Sequence, residues 1–354
     1  GNLVHEREFA YGDPATAFSS AAEVVELKWR YPRQSSTPME TYGAIAHYET
    51  APDRYSVWSN FQGPFILQPL MARALRISGN QLRLISAPFS GGSFGIKQGL
   101  YPYLVLLAAA SRLLGCPLKW TEDRLEHLSG SSSASDRADA IEAAFDDEGQ
   151  LIGLRYDNCV NVGAYVRAPE PASVYRMHAA SNGCYKVRDI GVRNRLVTTN
   201  KTPIGLNRGY GGPQFYFGLE RAMDTAARRM DIDPAELRRR NFISGDAFPY
   251  EAPAGAIYDS GDYAKGLDLL LEIAGYEDLK IRRDGARASG RAFGIGFGAG
   301  VEPSGSNMAY VTLAQTPEER ARAGGRSGGT AVANVTIDPT GAVTVRLDST
   351  PAGQ

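Results

Sequence analysis

Apolar and polar positions alternate, regroup at helical spacing and alternate again along this chain, and each shift of period marks an element. Residues 1 to about 20 are polar and turn-rich. Residues 24–31 alternate as an exposed strand does, and 41–49 and 55–59 predict two more short strands. The period turns helical over 64–75, with Gly63 near the cap, and 82–87 predicts a strand. Residues 100–114 predict an apolar helix stopped by Gly115 and Pro117, and 117–120 a strand after it. A serine-rich loop is expected at 129–135. Strands at 138–145 and 151–162 then pair around the turn Asp147-Glu148-Gly149, and 191–199 adds another.

The strongest helical signal is 211–230, where Pro213 suits the first turn and Leu219, Ala222, Met223, Ala226 and Ala227 share one face. Asp233-Pro234-Ala235-Glu236 has the form of a capping box, so 234–241 predicts a short helix. Beyond it come a loop rich in proline and glycine, a helix near 263–274 and a charged stretch at 278–287. A last unit opens at 293–301, with glycine at alternate positions, and ends in strands 331–337 and 343–347 around Asp338-Pro339-Thr340-Gly341. Strands and helices in separate runs, many strands hairpin-linked, predict an α+β fold rather than a doubly wound sheet.

A length of 354 residues predicts two or three domains. The net charge of −1 gives no general attraction to nucleic acid or membrane, and no apolar run reaches the length of a membrane span. Cys116, Cys159 and Cys184 lie far apart, and His5, His47, His127 and His178 show no metal-binding spacing. That argues against a zinc centre, a disulfide framework or an iron–sulfur cluster, and no metal ligand is expected. With no signal peptide in view, a cytoplasmic location is expected. The start at Gly1 and the close at 349–354, directly after strand-like sequence, read as the edges of a piece of something larger.

Chemistry concentrates in three places. Gly91-Gly92-Ser93-Phe94-Gly95-Ile96-Lys97-Gln98 joins a predicted strand to a predicted helix. Glycine lets backbone approach a ligand, and such a junction can aim N–H groups at an anion. Its spacing is neither GxGxxG nor GxxxxGK[ST], which points to a cofactor other than the common nucleotides or, for a glycine cluster taken in isolation, to a tight turn. Asn207-Arg208-Gly209-Tyr210-Gly211-Gly212-Pro213-Gln214 is a second glycine loop running into a helix. There Arg208 offers a planar fork of donors and Tyr210 can stack on a flat ligand. Taken alone, it is equally a helix-entry turn with a solvated arginine. In Trp58-Ser59-Asn60-Phe61-Gln62-Gly63-Pro64, the Gln62 amide can donate to a ligand oxygen without adding charge, or simply cap the helix.

Taken in chain order, the three motifs resemble the molybdopterin-binding large subunit of the xanthine dehydrogenase/aldehyde oxidase family, with its Gln-Gly segment, GGGFG-x-K loop and RG-x-GGPQ loop. Pro38-Met39-Glu40, Leu219-Glu220-Arg221 and residues 231–241 fit the same pattern, and the resemblance covers most of 20–245. It implies hydroxylation of an aldehyde or aromatic N-heterocycle, with oxygen from water and two electrons passed to molybdenum. It implies molybdopterin, in many bacterial members as the cytosine dinucleotide, whose dithiolene holds the metal without help from protein ligands. Carried onto this chain, Gln62 would donate to an oxo ligand of the metal. Gly92, Ser93, Phe94 and Gly95 would line the cofactor, Arg208 and Gly209 would sit beside the pterin, and Tyr210 would stack on substrate. Gln98 and Arg176 fall at or near substrate-contact positions. An arginine with a neutral amide implies a substrate bearing a carbonyl or carboxylate, and a solvated Arg176 is the alternative. Electrons would leave through an iron–sulfur subunit and an FAD subunit, since neither an Fe-S centre nor FAD is expected in this chain.

Three departures qualify the resemblance. Ser93 replaces the middle loop glycine, which requires a negative φ or a shifted loop. Arg208-Gly209-Tyr210-Gly211 lacks the cysteine of carbon-monoxide-oxidising members, which argues against that activity. The family's general-base glutamate lies near the end of the full subunit, so it is expected beyond Gln354, from the remainder of the large subunit or a second large chain, and the catalytic residues stay unassigned. Glu302 suits the start of a second domain better than the role of base. The expected division is 1–145 and 146–245 as two halves of a first cofactor domain, 246–290 as a bridge and 291–354 as an incomplete second domain. The alternative is a non-catalytic scaffold or assembly subunit of the same fold; the loop spacings disfavour a flavin or nucleotide module.

Overall fold

The structure is a computed structural model that describes residues 1–303, 309–323 and 332–347. Among the described residues two large apolar cores organise it, with two smaller clusters beside them. The first lies on a mixed sheet of β1 (Leu3–Tyr11), β2 (Glu23–Tyr31), β7 (Asp136–Phe145), β8 (Leu151–Gly163) and β9 (Asp189–Thr198). Its strand order is β1-β9-β8-β7-β2, with β8–β9 the parallel pair. Helix α6 (Gly212–Arg229) packs on β2 and β7, and the face expected from its spacing is the face it buries: Leu219, Ala222, Met223 and Ala226 meet Val25, Ile141 and Leu154. Gly218 is required there, because a Cβ would stand 2.2 Å from the Trp29 indole. The next helix, α7 (Pro234–Asn241), is capped by Asp233, and its buried Arg238 reaches back to Glu220 on α6 at 2.9 Å.

The second core lies under β3 (Gly43–Glu49), β4 (Arg54–Ser59), β5 (Leu82–Ser86) and β6 (Leu118–Thr121), in the order β5-β4-β3-β6 with β4–β5 parallel. Helices α2 (Pro64–Leu75) and α3 (Pro102–Leu114) close it with Leu67, Met71, Leu104 and Ala108, all fully buried. Left-handed glycines bound these helices where the sequence places them: Gly63 (φ +75°) begins α2 and Gly115 (φ +67°) ends α3.

Elsewhere the expectations need correction. Residues 1–20 are not merely turn-rich: they form β1 and the short α1 (Pro14–Ser19). The strand alternates, but its inward positions are His5, Arg7, Phe9 and Tyr11, only half-buried at a sheet edge, so no apolar stripe announces it. The serine-rich loop begins late, because α4 (Arg124–Gly130), closed by a capping box between Asp123 and Glu126, takes up Ser129 and Gly130. The charged stretch is a helix, α9 (Tyr276–Ala288), which follows α8 (Tyr263–Ala274) and buries only Tyr276. A ribbon of β10 (Tyr250–Glu251) and β11 (Ile257–Tyr258) precedes α8.

Residues 293–301 form no regular element, yet Ile295, Phe297, Ala299 and Val301 pack on the first core. Glu220 fastens this segment by accepting from the Ala299 N–H at 3.0 Å. Among the described residues, the short α-helices α5 (Ala172–Tyr175) and α10 (Pro317–Ala323) complete the set before the final hairpin, with a 3-10 helix at Ala309–Ala314 between them. The hairpin pairs β12 (Ala333–Ile337) with β13 (Val343–Leu347) around the expected turn. Residue 331 and the stretch 348–354, including Gln354, lie outside the described residues.

Candidate functional site

The loop leaving β5 and the loop entering α6 meet. The Arg208 N–H donates to the Phe94 carbonyl at 2.8 Å. A Cβ on Gly95 would stand 2.9 Å from the Leu206 carbonyl oxygen, so glycine permits the approach. Gln62, between β4 and α2, accepts the Gly95 N–H on Oε1 at 3.0 Å. Three motifs scattered over 150 positions thus form one surface.

The backbone of the first loop is shaped for donation. Gly92 (φ +105°), Phe94 (φ +53°) and Gly95 (φ +103°) are left-handed, while Ser93 takes the negative φ that its replacement of glycine demands. Holding Phe94 there costs about 1–3 kcal/mol, a strain found at ligand sites. The Ser93 hydroxyl is turned inward, accepting from the Gly95 N–H at 3.2 Å and the Lys97 N–H at 3.0 Å. Among the described residues, the N–H groups of Gly92 and Ser93 have no protein acceptor, although both residues are buried. Such paired free donors suit an anionic or oxygen-rich ligand. The Gly95 N–H also orients the Gln62 amide: Oε1 is turned to the loop, and the two NH2 donors have no protein acceptor among the described residues.

Sequence spacing missed what holds this loop. Lys97 is fully buried, and its Nζ donates to Glu40 Oε2 at 2.8 Å, the same oxygen that accepts the Gly91 N–H at 2.9 Å. Burial pushes the Lys97 amine down, against the pull of Glu40. Burial alone would raise Glu40, but hydrogen bonds from Lys97, Asn60 and Gly91 outweigh it and hold the carboxyl below its ordinary value. The pair spans 57 positions, and the motif Pro38-Met39-Glu40 is its sole trace in the sequence.

The second loop is braced from another side. Arg176, just after α5, donates through Nη1 to the Tyr210 carbonyl at 3.0 Å, and its guanidinium lies 4.6 Å from the Tyr210 ring centroid. Its Nη2 pairs with the Glu302 carboxylate and donates to the Pro303 carbonyl at 3.2 Å. The Tyr210 hydroxyl meets that of Tyr310, and burial pushes the Tyr210 phenol up. A Cβ on Gly211 (φ +80°) would stand 2.6 Å from the Ser173 carbonyl oxygen. The Arg208 side chain is exposed at the rim, next to Gly209 (φ +75°).

The structure therefore joins Gln62, Gly92, Ser93, Phe94, Gly95, Arg208 and Gly209 in one group. Arg176 and Tyr210 form a second group around the same loop. Gln98 is half-buried, with Nε2 3.3 Å from where a Gly63 Cβ would lie, and no hydrogen bond joins it to Arg176 among the described residues. Glu302, engaged by Arg176, faces a cation rather than an open pocket. No group of acidic, histidine or cysteine side chains among the described residues is arranged to hold a metal ion, and no helix there is long and apolar enough to cross a membrane.

Residues 1–242 match the family model of the molybdopterin cofactor-binding domain, the class that this fold and these loops define. The chain belongs to the xanthine dehydrogenase family of molybdenum hydroxylase large subunits, as its three motifs indicate. It is 32% identical over 352 residues to the nicotine 6-hydroxylase large subunit of Paenarthrobacter nicotinovorans, covering 98% of this chain and 41% of that one. It is 30% identical to the carbon monoxide dehydrogenase large chain of Afipia carboxidovorans, covering 97% and 42%. The crystal structure of quinoline 2-oxidoreductase from Pseudomonas putida 86 superposes with a TM-score of 0.88 at 31% identity, over 100% of this chain and 44% of that one. The chain thus spans less than half the length of these relatives. The α+β fold of mixed sheets with packed helices is borne out as well.

Proposed function

We propose that this chain is the first cofactor-holding part of a large subunit that hydroxylates an aldehyde or aromatic N-heterocycle with water as the oxygen source. The observation that carries the reading is the Gln62 amide, held by the Gly95 N–H with its NH2 donors unengaged among the described residues, beside the N–H groups of Gly92 and Ser93, which have no protein acceptor there. When bound, molybdopterin with its molybdenum supplies the redox centre that takes two electrons from the substrate carbon. The residues of this chain bind and orient. Gly92 and Ser93 donate to the cofactor, Phe94 and Gly95 wall it, Gln62 donates to an oxygen it carries, and Arg208 and Gly209 flank the pterin. Tyr210, Gln98 and Arg176 shape the substrate side.

Similarity to enzymes named for nicotine and quinoline supports a ring substrate. Similarity to carbon monoxide dehydrogenase does not extend that activity here, because Gly209-Tyr210 carries no cysteine. The same reading takes the pterin as the cytosine dinucleotide, an iron–sulfur subunit and an FAD subunit as partners, and the cytoplasm as the setting. It assigns 1–145 and 146–245 to two halves of the first cofactor domain, 246–290 to a bridge and 291–354 to the start of a second. The general-base glutamate then comes from the remainder of the large subunit or a second large chain, because Glu302 is occupied.

The test is metal and pterin analysis after co-expression with the partner chains. Equimolar molybdenum and pterin are expected, with no turnover by the 354-residue chain alone. An assembled complex devoid of both would leave the scaffold as the function.

A further inference from the structure

Arg176 is a cation with three of its five N–H donors engaged among the described residues. One Nη serves the Tyr210 carbonyl, the other serves the Glu302 carboxylate and the Pro303 carbonyl, and the guanidinium plane covers one face of the Tyr210 ring. The Arg176 side chain is 9% exposed, against 52% for Glu302, so the cation sits inside and its counter-charge faces outward. The other oxygen of Glu302, Oε2, lies 3.3 Å from where a Gly212 Cβ would be, beside the first residue of the 18-residue α6, whose N-terminal end favours a negative charge; the Gly212 N–H itself donates to the Gly209 carbonyl at 2.8 Å.

We infer that Glu302 acts as a charge filter: by neutralising Arg176 behind Tyr210, it makes this side of the proposed substrate site admit uncharged planar substrates and turn away the same rings bearing a carboxylate. The inference rests on the reading of Tyr210 as a substrate-facing ring. A carboxylate drawn toward Arg176 must either displace Glu302 from the guanidinium or lie beside a like charge, and rejection by repulsion is as effective a source of specificity as attraction. The carboxylate-bearing substrates that a bare arginine would attract are the ones this arrangement excludes. The proposed substrate ring lies on the face of Tyr210 that the guanidinium leaves uncovered, so Arg176 and Glu302 are positioning residues that act through Tyr210 and through the field on that side of the site.

The experiment uses the assembled complex with the full-length large subunit, both loaded and molybdenum-free. The probes are quinoline and a quinoline carboxylate, with binding read by fluorescence quenching and KM read separately from kcat. Glu302→Gln is expected to shift the ratio of dissociation constants about tenfold toward the carboxylate, the scale of one hydrogen bond to a charged group, with quinoline itself little changed. Glu302→Asp is expected to restore the original preference. If Glu302→Gln fails to assemble, the double variant Arg176→Gln/Glu302→Gln, which buries no unpaired charge, is expected to hold the ratio near its original value, because the pair is neutral before and after; a fall in carboxylate affinity alone would show that Arg176 attracts the anion past Glu302 and overturn the filter. An unmoved ratio in Glu302→Gln, while Tyr210→Ala weakens both probes, overturns the filter and leaves the substrate face intact. Unchanged binding of both probes in Tyr210→Ala overturns the substrate face itself.

Discussion

The loop at 91–98 and the loop at 207–212 both run from a strand toward a helix, and both rely on left-handed glycines, but their supports come from different distances along the chain. The first is held by its own half: Gln62 and Glu40 flank strands of the same four-stranded sheet, and Lys97 belongs to the loop. The second is held by Arg176 from beyond β8 and, through it, by Glu302, 126 positions further on. A loop stapled locally presents a fixed row of donors. A loop braced by a distant carboxylate presents a surface that another part of the chain can tune. The contrast matches the proposed division of labour, with the cofactor's oxygens on the first loop and substrate choice on the second.

The sharpest way to break this comparison is Gly95→Ala. It places a Cβ 2.9 Å from the Leu206 carbonyl oxygen at a φ of +103°, so it strains the first loop and parts it from the second. Molybdenum and pterin content of the co-expressed complex is expected to fall about tenfold or more, with the circular dichroism spectrum retained. A variant that stays fully loaded would show that the loops need not touch.

A smaller effect separates the two members of the staple. Glu40→Gln strands the buried Lys97 ammonium and is expected to cost about 3 kcal/mol in urea unfolding, whereas Lys97→Met leaves a half-exposed carboxylate and costs less. The reverse order would mean that the carboxylate, not the ammonium, is the buried partner in solution.

The smallest effect is in acid. The folded pKa of Glu40 lies below its ordinary 4.5. Its contribution is therefore full above pH 4.5 and is lost as pH falls through the lower folded value. Stability measured against pH should show this loss in the wild type, and the acid limb should flatten in Glu40→Gln.

What could be read from the sequence was what repeats locally. The α2 limits, the buried face of α6 and the β7–β8 hairpin all follow from period and turn chemistry, and the three site motifs follow from their glycines. What escaped has no local period. The inward side of β1 is built from His5, Arg7, Phe9 and Tyr11, and α9 has charged positions nearly all round. Glu40–Lys97 and Arg176–Glu302 pair residues that only the tertiary fold brings together. Charged side chains contribute nothing to hydrophobic periodicity, so the residues that fix both loops were the least visible ones.

The indole of Trp29 occupies the notch at Gly218. A helix keyed in this way can neither slide along its sheet nor roll on it, so the N-terminal end of α6 behaves as an anvil. Any accommodation of an incoming ligand must then be taken up by torsions at Gly209 and Gly211, a latch only a few residues wide in a frame that does not yield.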